Sequence, residues 1–503
     1  MTVQAPFVVA TLARRGLLRP GPPHRVAAQL LTLRRWGFGI AGELRQAAAR
    51  TPGRAALIDE ERGAVTYARL RERAEALASV LRDTYGIGCG DRIGILCRNH
   101  VGFVEALAAG ALVGADVVLL NTGLSAPRLA DAARAHDLRL LVHDIEFGDR
   151  LPSDVACVPE TGLRMLTAPA ASLKPPAREG HTIVLTSGTT GTPKGVRRPS
   201  PGGMGPLVSI LDRIPLRAGE QMFIAAPLFH TWGYGALQIA LALRATVVLR
   251  RSFVPSSIVE ALRANECTSM VTVPVMLQRL LDAEVTALPA LRTVAVSGSA
   301  LTGGLATRFM DAYGDVLYNL YGSSEVSWAS IATPAELRRA PTTAGRPPRG
   351  TRVEIRDGRI LVANEMLFEG YTSGGGRPTD DGMLATGDLG HIGADGLLFV
   401  DGREDDMIVS GGENVYPSEV EDLLAALPQV REAAVVGVPD EEYGQRLAAY
   451  VVLRHGEALD ADAVRAHVRA QRARYAVPRD VLFLDALPRN ATGKVVPGDL
   501  PRP

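Results

Sequence analysis

Strands and helices alternate along most of this sequence, and that order limits the folds that the chain can adopt. Residues 92–97 and 117–120 have the apolar character of buried strands, and residues 128–136 fit a helix before the next apolar run at 139–142. Strands that alternate with helices in this way run parallel, and the helices pack on the faces of the sheet. The chain is therefore predicted to be an α/β protein with mostly parallel sheets.

The same order begins again after a Pro/Ala-rich stretch at residues 168–178. Further strands are predicted at residues 182–186, 223–226, 246–249, 269–273 and 293–297. Beyond residue 351 the strands shorten and Asp-Gly pairs recur, which is typical of hairpin turns. From residue 402 the pattern is helix, strand, strand, helix, strand, enough for a small α+β domain.

These boundaries predict three parts. Residues 1–45 form a basic N-terminal arm, and residues 46–401 form a large body of mixed α/β layers with a β-rich subdomain. Residues 402–503 form a small mobile α+β domain, hinged close to its first residue. The first 36 residues contain no aspartate or glutamate but six arginines, namely Arg14, Arg15, Arg19, Arg25, Arg34 and Arg35. A poorly ordered terminus is expected, with peripheral membrane contact as the alternative.

Composition excludes several classes of protein. The formal net charge is +1 and aromatic residues make up only 5%, which argues against nucleic acid as a partner. Four cysteines without metal-ligand spacing indicate neither a disulfide scaffold nor a zinc site, and they favour the cytoplasm. The apolar stretch at residues 106–120 is interrupted by Asp116 and glycines, so it is predicted to be a buried helix and strand instead of a membrane span.

The strongest chemical signal is the run Thr-Ser-Gly-Thr-Thr-Gly-Thr-Pro-Lys-Gly at residues 186–195, directly after an apolar strand. Glycines let backbone N–H groups turn inward around an anion, hydroxyls add donors, and Lys194 adds a cation. The run lacks the spacing of the kinase and ATPase P-loop. It predicts a polyphosphate-binding loop of another kind.

This loop resembles the phosphate-loop signature of the adenylate-forming superfamily, which includes acyl-CoA synthetases, adenylation domains and luciferases. Other segments resemble motifs of the same family in the same order: Tyr-Gly-Ser-Ser-Glu at 321–325, Thr-Gly-Asp at 386–388, a hinge region at 402–417 and a lysine motif at 488–494. The resemblance covers roughly residues 45 to 500. It implies activation of a carboxylic acid by ATP and Mg²⁺ as an acyl-adenylate, followed by transfer of the acyl group to coenzyme A.

The resemblance also implies roles for individual residues. Glu325 would help to hold Mg²⁺, and Asp388 would accept the ribose hydroxyls, with Arg403 close to the ribose or α-phosphate. Lys494 would neutralise the α-phosphate and the substrate carboxylate. Thr186 and His230 complete the predicted catalytic set. The remaining nucleotide-binding residues are Ser187, Gly188, Thr189, Thr190, Gly191, Lys194, Gly298, Ser299, Ala300, Asn319, Tyr321, Gly322, Ser323 and Ser324.

Two further sets follow from the resemblance. Asp405 resembles the family's hinge residue, so rotation about it would present a second face for thioester formation. Gly411 and Gly412 would line the coenzyme A channel. The segment at 227–235 resembles the acyl-site motif, with His230 gating the pocket. The candidate pocket walls are Trp232, Gly233, Gly235, Val326 and Trp328.

The substrate is less tightly constrained. No aspartate lies between residues 227 and 243 to pair with a substrate amine, and several small residues leave room for an aliphatic chain. A medium- or long-chain fatty acid is therefore expected, with an aromatic acid as the alternative. A carrier protein as acceptor, an oxidative reaction like that of the luciferases, and a nucleotide-binding regulator without turnover stay open.

Overall fold

The computed structural model describes residues 4–165, 173–186, 194–283, 285, 290–376, 379–410, 413–440, 444–490 and 493–503. Its helices, in chain order, are α1 (Ala5–Arg14), α2 (Pro23–Trp36), α3 (Ile40–Arg50), α4 (Tyr67–Asp83), α5 (Val101–Val113), α6 (Ala126–Ala135), α7 (Glu160–Met165), α8 (Gly205–Arg213), α9 (Thr231–Ala242), α10 (Pro255–Ala264), α11 (Pro274–Asp282), α12 (Gly303–Tyr313), α13 (Pro334–Arg339), α14 (Pro417–Ala425) and α15 (Ala461–Gln471). Short 3-10 helices lie at Ile145–Arg150, Arg474–Ala476 and Pro497–Asp499.

The strands are distributed over four sheets. In chain order they are β1 (Ala55–Asp59), β2 (Gly63–Thr66), β3 (Arg92–Leu96), β4 (Asp116–Leu119), β5 (Leu140–His143), β6 (Ala156–Pro159), β7 (Thr182–Thr186), β8 (Lys194–Arg198), β9 (Gln221–Ile224), β10 (Thr246–Val248), β11 (Ser269–Thr272), β12 (Thr293–Val296), β13 (Leu317–Tyr321), β14 (Ser330–Ala332), β15 (Arg352–Arg356), β16 (Arg359–Ala363), β17 (Thr379–Asp380), β18 (Met383–Ile392), β19 (Leu398–Arg403), β20 (Ile408–Ser410), β21 (Glu413–Val415), β22 (Val430–Asp440), β23 (Gly444–Leu453) and β24 (Asp480–Phe483).

The first sheet has the order β6-β5-β3-β4-β7-β8 and is parallel except for the hairpin of β7 and β8. Helices cover its faces, so its inner strands are apolar on both sides, as Ile93 and Val117 illustrate. Helix α5 leads from β3 to β4. His100 caps its first turn by accepting from the N–H of Gly102, and Gly114 ends it in the left-handed conformation. The prediction of a buried helix and strand at residues 106–120 is confirmed.

The second sheet has the order β14-β13-β12-β11-β9-β10-β1-β2. Its strands are parallel from β13 to β1 and antiparallel at both edges. The carboxyl ends of β9, β11, β12 and β13 consequently lie side by side along one edge. Ligands of open α/β sheets bind at such an edge. The predicted site segments that follow β9, β12 and β13 are thereby brought together.

The third sheet is antiparallel and contains β15 to β19. Asp357 and Gly358 turn the chain between β15 and β16 with φ angles of +50° and +76°. Two-residue hairpins require positive φ at both central positions, which Asp-Gly tolerates. The predicted hairpin is confirmed, and the hairpin of β18 and β19 brings Asp388 opposite Arg403.

The fourth sheet belongs to the C-terminal unit. Its order is β21-β20-β23-β22, with β24 parallel to β23. Helices α14 and α15 pack on it through Val420, Leu424, Val464 and Val468, which are completely buried. The predicted order of helix, strand, strand, helix and strand is present, preceded by the short pair β20 and β21. Mobility of residues 402–503 stays a prediction.

The N-terminal arm is helical, whereas a poorly ordered terminus was expected. Leu12 of α1 is buried, and Arg15 donates from both Nε and Nη2 to the carbonyl oxygen of Leu211, at 3.0 and 2.7 Å. Helix α2 lies along α3, where Gln29 donates to Gln46 at 2.7 Å. Burial of the apolar residues between the arginines thus stabilises these helices despite the positive charge of the arm. Every helix in the described ranges is too short or too polar to span a bilayer.

Candidate active site

Two of the predicted nucleotide-binding segments, which the family resemblance assigns to the adenine, lie at neighbouring strands of the second sheet: residues 298–300 follow β12, and residues 319–321 end β13. Asn319 on β13 pairs with Val296 on β12, so residues 298–300 and 319–321 lie next to each other. Gly298 adopts φ +99°, which a side chain would strain. Five of these residues are partly or fully exposed to solvent: Gly298, Ser299, Ala300, Asn319 and Tyr321. They border accessible space, and their role stays a prediction.

Glu325 is fixed in a tight turn after β13. A Cβ added to Gly322 would lie 2.4 Å from the carbonyl oxygen of Ser327, so the turn closes only with glycine. Ser323 Oγ accepts from the N–H of Glu325 at 3.2 Å. Glu325 is 9% exposed, and its Oε1 accepts a hydrogen bond of 3.0 Å from the hydroxyl of Tyr371. The turn and Tyr371 together set the direction of this carboxylate.

Strands β7 and β8 form the hairpin on which the predicted phosphate loop is mounted. Thr186 pairs with Lys194, and its Oγ1 donates to the carbonyl oxygen of Lys194 at 3.3 Å. Lys194 Nζ lies 5.5 Å from the centre of the Tyr371 ring, a cation–π contact. The rest of the predicted loop lies outside the described residues: Ser187, Gly188, Thr189, Thr190 and Gly191.

Tyr371 lies on a segment that runs along the free edge of β8. The N–H of Arg197 donates to Gly370 at 3.1 Å, and the N–H of Thr372 donates to Gly195 at 2.8 Å. The sequence reasoning did not name Tyr371, because a tyrosine in a glycine-rich stretch has no chemical signature of its own. Only the fold reveals that it contacts both Lys194 and Glu325.

Asp388 and Arg403 form an ion pair across β18 and β19, with Oδ1 and Nη1 3.4 Å apart. The hydroxyl of Tyr321 donates to the other oxygen of Asp388 at 2.5 Å. Burial and the charge of Asp388 raise the pKa of Tyr321 well above its ordinary value, so the hydroxyl keeps its proton. Burial lowers the pKa of Arg403, but Asp388 and Asp405 outweigh that effect and raise it.

The loop of Lys494 is docked on the large body. A Cβ added to Gly493 would lie 2.4 Å from Cγ1 of Val275 at the start of α11, so this approach requires glycine. The backbone N–H of Lys494 donates to Oδ1 of Asn490 at 3.0 Å, which shapes the loop. The C-terminal lysine motif is therefore held against the carboxyl edge of the second sheet.

The ammonium of Lys494 interacts with the charges of the site. Surrounding protein and then Arg403 lower its pKa, while Asp388 and Glu325 oppose that shift. The side chain nevertheless stays exposed to solvent, so its dehydration is only partial. The structure thus brings the predicted catalytic lysine, the predicted metal ligand and the predicted ribose ligand into one electrostatic cluster. Their roles stay predictions.

His230 precedes α9 beside this cluster. Burial and then the ammonium of Lys494 lower the pKa of His230 to about 4. The imidazole is consequently uncharged at neutral pH. It keeps some contact with solvent, so it offers the site a polar and neutral side chain at the start of α9.

One face of α9 borders open space. Thr231, Gly235, Gln238 and Ile239 are partly exposed, at the spacing of a single helical face. A Cβ added to Gly235 would meet no atom within 4 Å. Thr231 Oγ1 lies 2.8 Å from Oγ of Ser324. The sequence analysis named Gly235 as a pocket residue but not Thr231, Gln238 or Ile239. These three lie three or four positions from Gly235, so helical spacing would have identified them.

The other predicted pocket residues have core positions. Trp232 donates its indole N–H to a carbonyl oxygen of β11 at 3.1 Å, and Trp328 donates to Thr351 at 2.9 Å. A Cβ added to Gly233 would lie 2.1 Å from a backbone oxygen, and Val326 is fully buried. Their place in the acyl pocket stays a prediction, and the geometry favours Gly235 over them.

Arg198 is a buried cation behind the Glu325 turn that the sequence reasoning did not name. Its Nη1 donates to the carbonyl oxygen of Ser324 at 3.2 Å, and within the described part of the chain its Nε has no acceptor. Burial lowers the pKa of Arg198, while Tyr234 and Glu325 oppose that shift. Arg198 links β8 to the turn that carries Glu325.

The predicted hinge and channel residues lie farther along the chain. Asp405 is exposed between β19 and β20. Gly411 and Gly412 lie outside the described residues. Beyond them, α14 packs against α12, and the carboxylate of Asp422 interacts with the backbone N–H of Gly303. Burial raises the pKa of Asp422 to about 6.

A buried group of Cys97, His100 and Asp144 has atoms close enough to suggest a metal site. His100 Nδ1 accepts from the N–H of Gly102 at 3.0 Å, so the ring proton is on Nε2. Nε2 lies 2.7 Å from Oδ1 of Asp144 and donates to it. Neither ring nitrogen has a lone pair left for a metal ion. The cluster is a hydrogen-bonded cap of α5.

Comparison with known proteins identifies the family of this chain. The AMP-binding enzyme family model matches residues 44–372, and the AMP-binding enzyme C-terminal domain matches residues 419–494. Feruloyl-CoA synthase from Amycolatopsis is 32% identical over 87% of this chain and 94% of its own length. Indoleacetate–CoA ligase from Aromatoleum aromaticum is 32% identical over 89% of this chain and 95% of its own length.

Among solved structures, o-succinylbenzoate CoA synthetase (MenE) from Bacillus subtilis, in complex with the acyl-adenylate OSB-AMP, superimposes with a TM-score of 0.82 at 30% identity. The match covers 91% of this chain and 97% of that chain. The predicted α/β architecture and the predicted resemblance are both confirmed. The chain belongs to the AMP-binding enzyme family, and within the adenylate-forming superfamily it groups with the acid–CoA ligases.

Proposed function

We propose that this chain is an AMP-forming ligase that activates an aromatic carboxylic acid with ATP and joins it to coenzyme A. The observation that carries the proposal is the position of Lys494. Its loop packs against Val275 at the start of α11, and the charges of Glu325, Asp388 and Arg403 shift its pKa. A cation assembled with carboxylates at a strand edge suits a reaction in which phosphate charge has to be stabilised.

The residues present fit ATP and Mg²⁺. Mg²⁺ prefers oxygen ligands, and Glu325 offers a carboxylate whose Oε1 is already oriented by Tyr371. The ion, when bound, would offset the charge of the phosphates. Lys194 would contact the phosphates from the hairpin together with Thr186. Asp388 would accept from the ribose hydroxyls.

In the first half-reaction, a carboxylate oxygen of the acid attacks the α-phosphorus of ATP. The bond from that phosphorus to the bridging oxygen breaks, and pyrophosphate leaves with the electron pair. Lys494 would hold the acid and the α-phosphate together and balance the developing negative charge. The neutral imidazole of His230 would position the acid without adding a second positive charge.

In the second half-reaction, the sulfur of coenzyme A attacks the carbonyl carbon of the adenylate. The bond from that carbon to the phosphate oxygen breaks, AMP leaves with the electron pair, and the thiol proton passes to solvent. Rotation of the residues that follow Asp405 would withdraw Lys494 between the two steps. Gly411 and Gly412 would line the approach of the thiol.

An aromatic acid is a better proposal than the fatty acid that the small residues of the acyl motif suggested. The relatives described above are named for feruloyl, indoleacetate and succinylbenzoate groups, each of which contains an aromatic ring. An added Cβ at Gly235 would meet no atom within 4 Å, so we assign the ring to the space beside it, where the hydroxyls of Thr231 and Ser324 would meet a polar substituent.

A panel of acids tests this proposal. Pyrophosphate release and thioester formation are measured with hydroxycinnamates, benzoates, arylacetates, fatty acids and amino acids, each with and without coenzyme A. We expect the highest kcat/KM for an aromatic acid, with a thioester formed only when coenzyme A is present. A preference for fatty acids would overturn the substrate assignment, and an adenylate without a thioester would indicate another acceptor, such as a carrier protein.

Lysine variants separate the catalytic assignment from the substrate assignment. The chain contains lysine only at positions 174, 194 and 494. Lys494→Ala should reduce pyrophosphate release at least about a hundredfold with every acid. Lys174→Ala, which removes an exposed lysine away from the site, should leave it unchanged.

A further inference from the structure

Helix α2 presents an apolar face to solvent. Its opposite face is fixed to the body, because Leu33 is buried and the guanidinium of Arg45 lies 4.0 Å from the centre of the Trp36 ring. Leu30 and Leu31 are 62% and 65% exposed. Burying such leucines inside the same fold would be favourable, so their exposure marks a surface that suits an apolar partner.

Arginines surround these leucines. Ala27, Leu30, Leu31 and Arg34 share one helical face by their spacing, and Arg35 lies beside it. The exposed arginines of α1, α2 and the turn between them are Arg14, Arg19, Arg25, Arg34 and Arg35. No aspartate or glutamate occurs before Glu43. Because the whole chain has a net charge of only +1, the remaining residues are net negative, and the positive charge is concentrated on these two helices.

The two helices are also set apart in sequence. The family model begins at residue 44, so α1 and α2 precede the part of the chain that it describes. None of the predicted site residues lies on them. Their exposed face is therefore free to have a role other than catalysis.

We propose that the exposed face of α2 docks onto an anionic lipid bilayer. The leucines would enter the boundary between headgroups and acyl chains, and the arginines would bind lipid phosphates while their aliphatic stems cover the apolar surface. Each arginine near an anionic membrane adds to the attraction. A nucleic acid would gain nothing from Leu30 and Leu31. A second copy of the chain, paired through the same face, would bring like charges together.

Vesicle binding by the full chain tests the proposal. Co-sedimentation is measured with vesicles of phosphatidylcholine alone and with vesicles that also contain phosphatidylglycerol. We expect binding to the anionic vesicles only, weakened by salt. The double variant Leu30→Ser/Leu31→Ser should reduce the partition coefficient by about tenfold, and Arg34→Gln/Arg35→Gln should reduce it similarly.

Matched controls remove an exposed isoleucine and an exposed arginine elsewhere. Ile392→Ser and Arg469→Gln should bind the vesicles as the unaltered chain does. All four variants should form thioester at the unaltered rate without vesicles, which separates this proposal from the proposed function. Equal binding to neutral and anionic vesicles, or full binding by the leucine variant, would overturn the proposal. The proposal would also be overturned if the unaltered chain were a dimer in solution and the leucine variant a monomer.

Discussion

The hydroxyl of Tyr371 donates a hydrogen bond of 3.0 Å to Oε1 of Glu325, and Lys194 Nζ lies 5.5 Å from the centre of its ring. Glu325 follows a strand of the second sheet, whereas Lys194 begins a strand of the first. One tyrosine therefore joins the predicted metal ligand to the predicted phosphate-binding lysine. The two charges are oriented before any substrate arrives, which favours electrostatic catalysis.

Tyr371→Phe isolates the hydrogen bond, because it keeps the ring beneath Lys194. A hydrogen bond to a carboxylate is stronger than one between neutral groups, so we expect kcat for pyrophosphate release to fall about tenfold with little change in stability. Tyr475→Phe, which removes the hydroxyl of an exposed tyrosine, is the control. Unaltered kcat in the Tyr371 variant would mean that Glu325 is oriented by its turn alone.

Gly235→Leu fills the open space beside α9. We expect KM for ring-containing acids to rise about a hundredfold, while acetate is affected much less, because the new side chain occupies the space assigned to the ring. Glycine is unfavourable inside a helix by about 1 kcal/mol, so the variant should unfold at the same or a higher temperature. Equal effects on large and small acids would place the pocket elsewhere.

The free energy of unfolding should report the buried position of His230. Its pKa in the folded state is lowered to about 4, below the value of about 6.5 expected in the unfolded chain. The stability that depends on this group is present above about pH 6.5 and is lost as pH falls towards 4. His230→Asn removes this dependence. As the pH falls from about 7.5 to about 5, the free energy of urea unfolding of the unaltered chain should decrease by about 2 kcal/mol more than that of the variant. Equal decreases would contradict the burial.

Asp422→Asn tests the contact between α14 and α12. Burial raises the pKa of Asp422 to about 6, so the contact is strongest below the ordinary value of about 4 and weakens as pH rises through about 6. Asparagine keeps an acceptor for the N–H of Gly303 without a charge, and above pH 6 it should stabilise the arrangement seen here.

The two half-reactions should then respond differently. In single turnovers at about pH 7.5, the Asp422 variant should form adenylate at least as fast as the unaltered chain and thioester a few times more slowly, because the unit leaves this arrangement less readily. Asp485→Asn, which removes an exposed carboxylate of the same unit, is the control. Equal changes in both steps would contradict a role for this contact in domain rotation.

The sequence predicts the α/β class and the order of elements well, because βαβ alternation leaves few alternatives. The Asp-Gly pair at 357–358 forms the predicted hairpin turn, but the prediction of a turn at the pair at 401–402 is wrong, because that pair lies inside β19. The sequence also fails for α1 and α2, where the arginines concealed apolar residues such as Leu12 that anchor the helices. The motifs indicate the charged residues of the site. They do not indicate Tyr371 or Arg198. The contacts of these two residues depend on how β8 packs against the turn that carries Glu325, and local sequence does not encode that packing.

The residues predicted to line the acyl pocket also differ from one another in ways that the sequence does not show. Trp232 and Trp328 are predicted pocket walls, and the structure adds that each donates its indole N–H to another part of the large body. Gly235 had little to distinguish it from Gly233 in sequence. Their difference is geometric, since one faces open space and the other lies against backbone.

A quenched single turnover tests the central claim most directly. Enzyme in excess is mixed with ATP, Mg²⁺ and a hydroxycinnamic acid, stopped, and analysed by mass spectrometry before and after coenzyme A is added. We predict an acyl-adenylate with one equivalent of pyrophosphate, then its complete conversion to thioester and AMP when coenzyme A is present. Thioester without a preceding adenylate, or release of ADP and phosphate, would contradict the account.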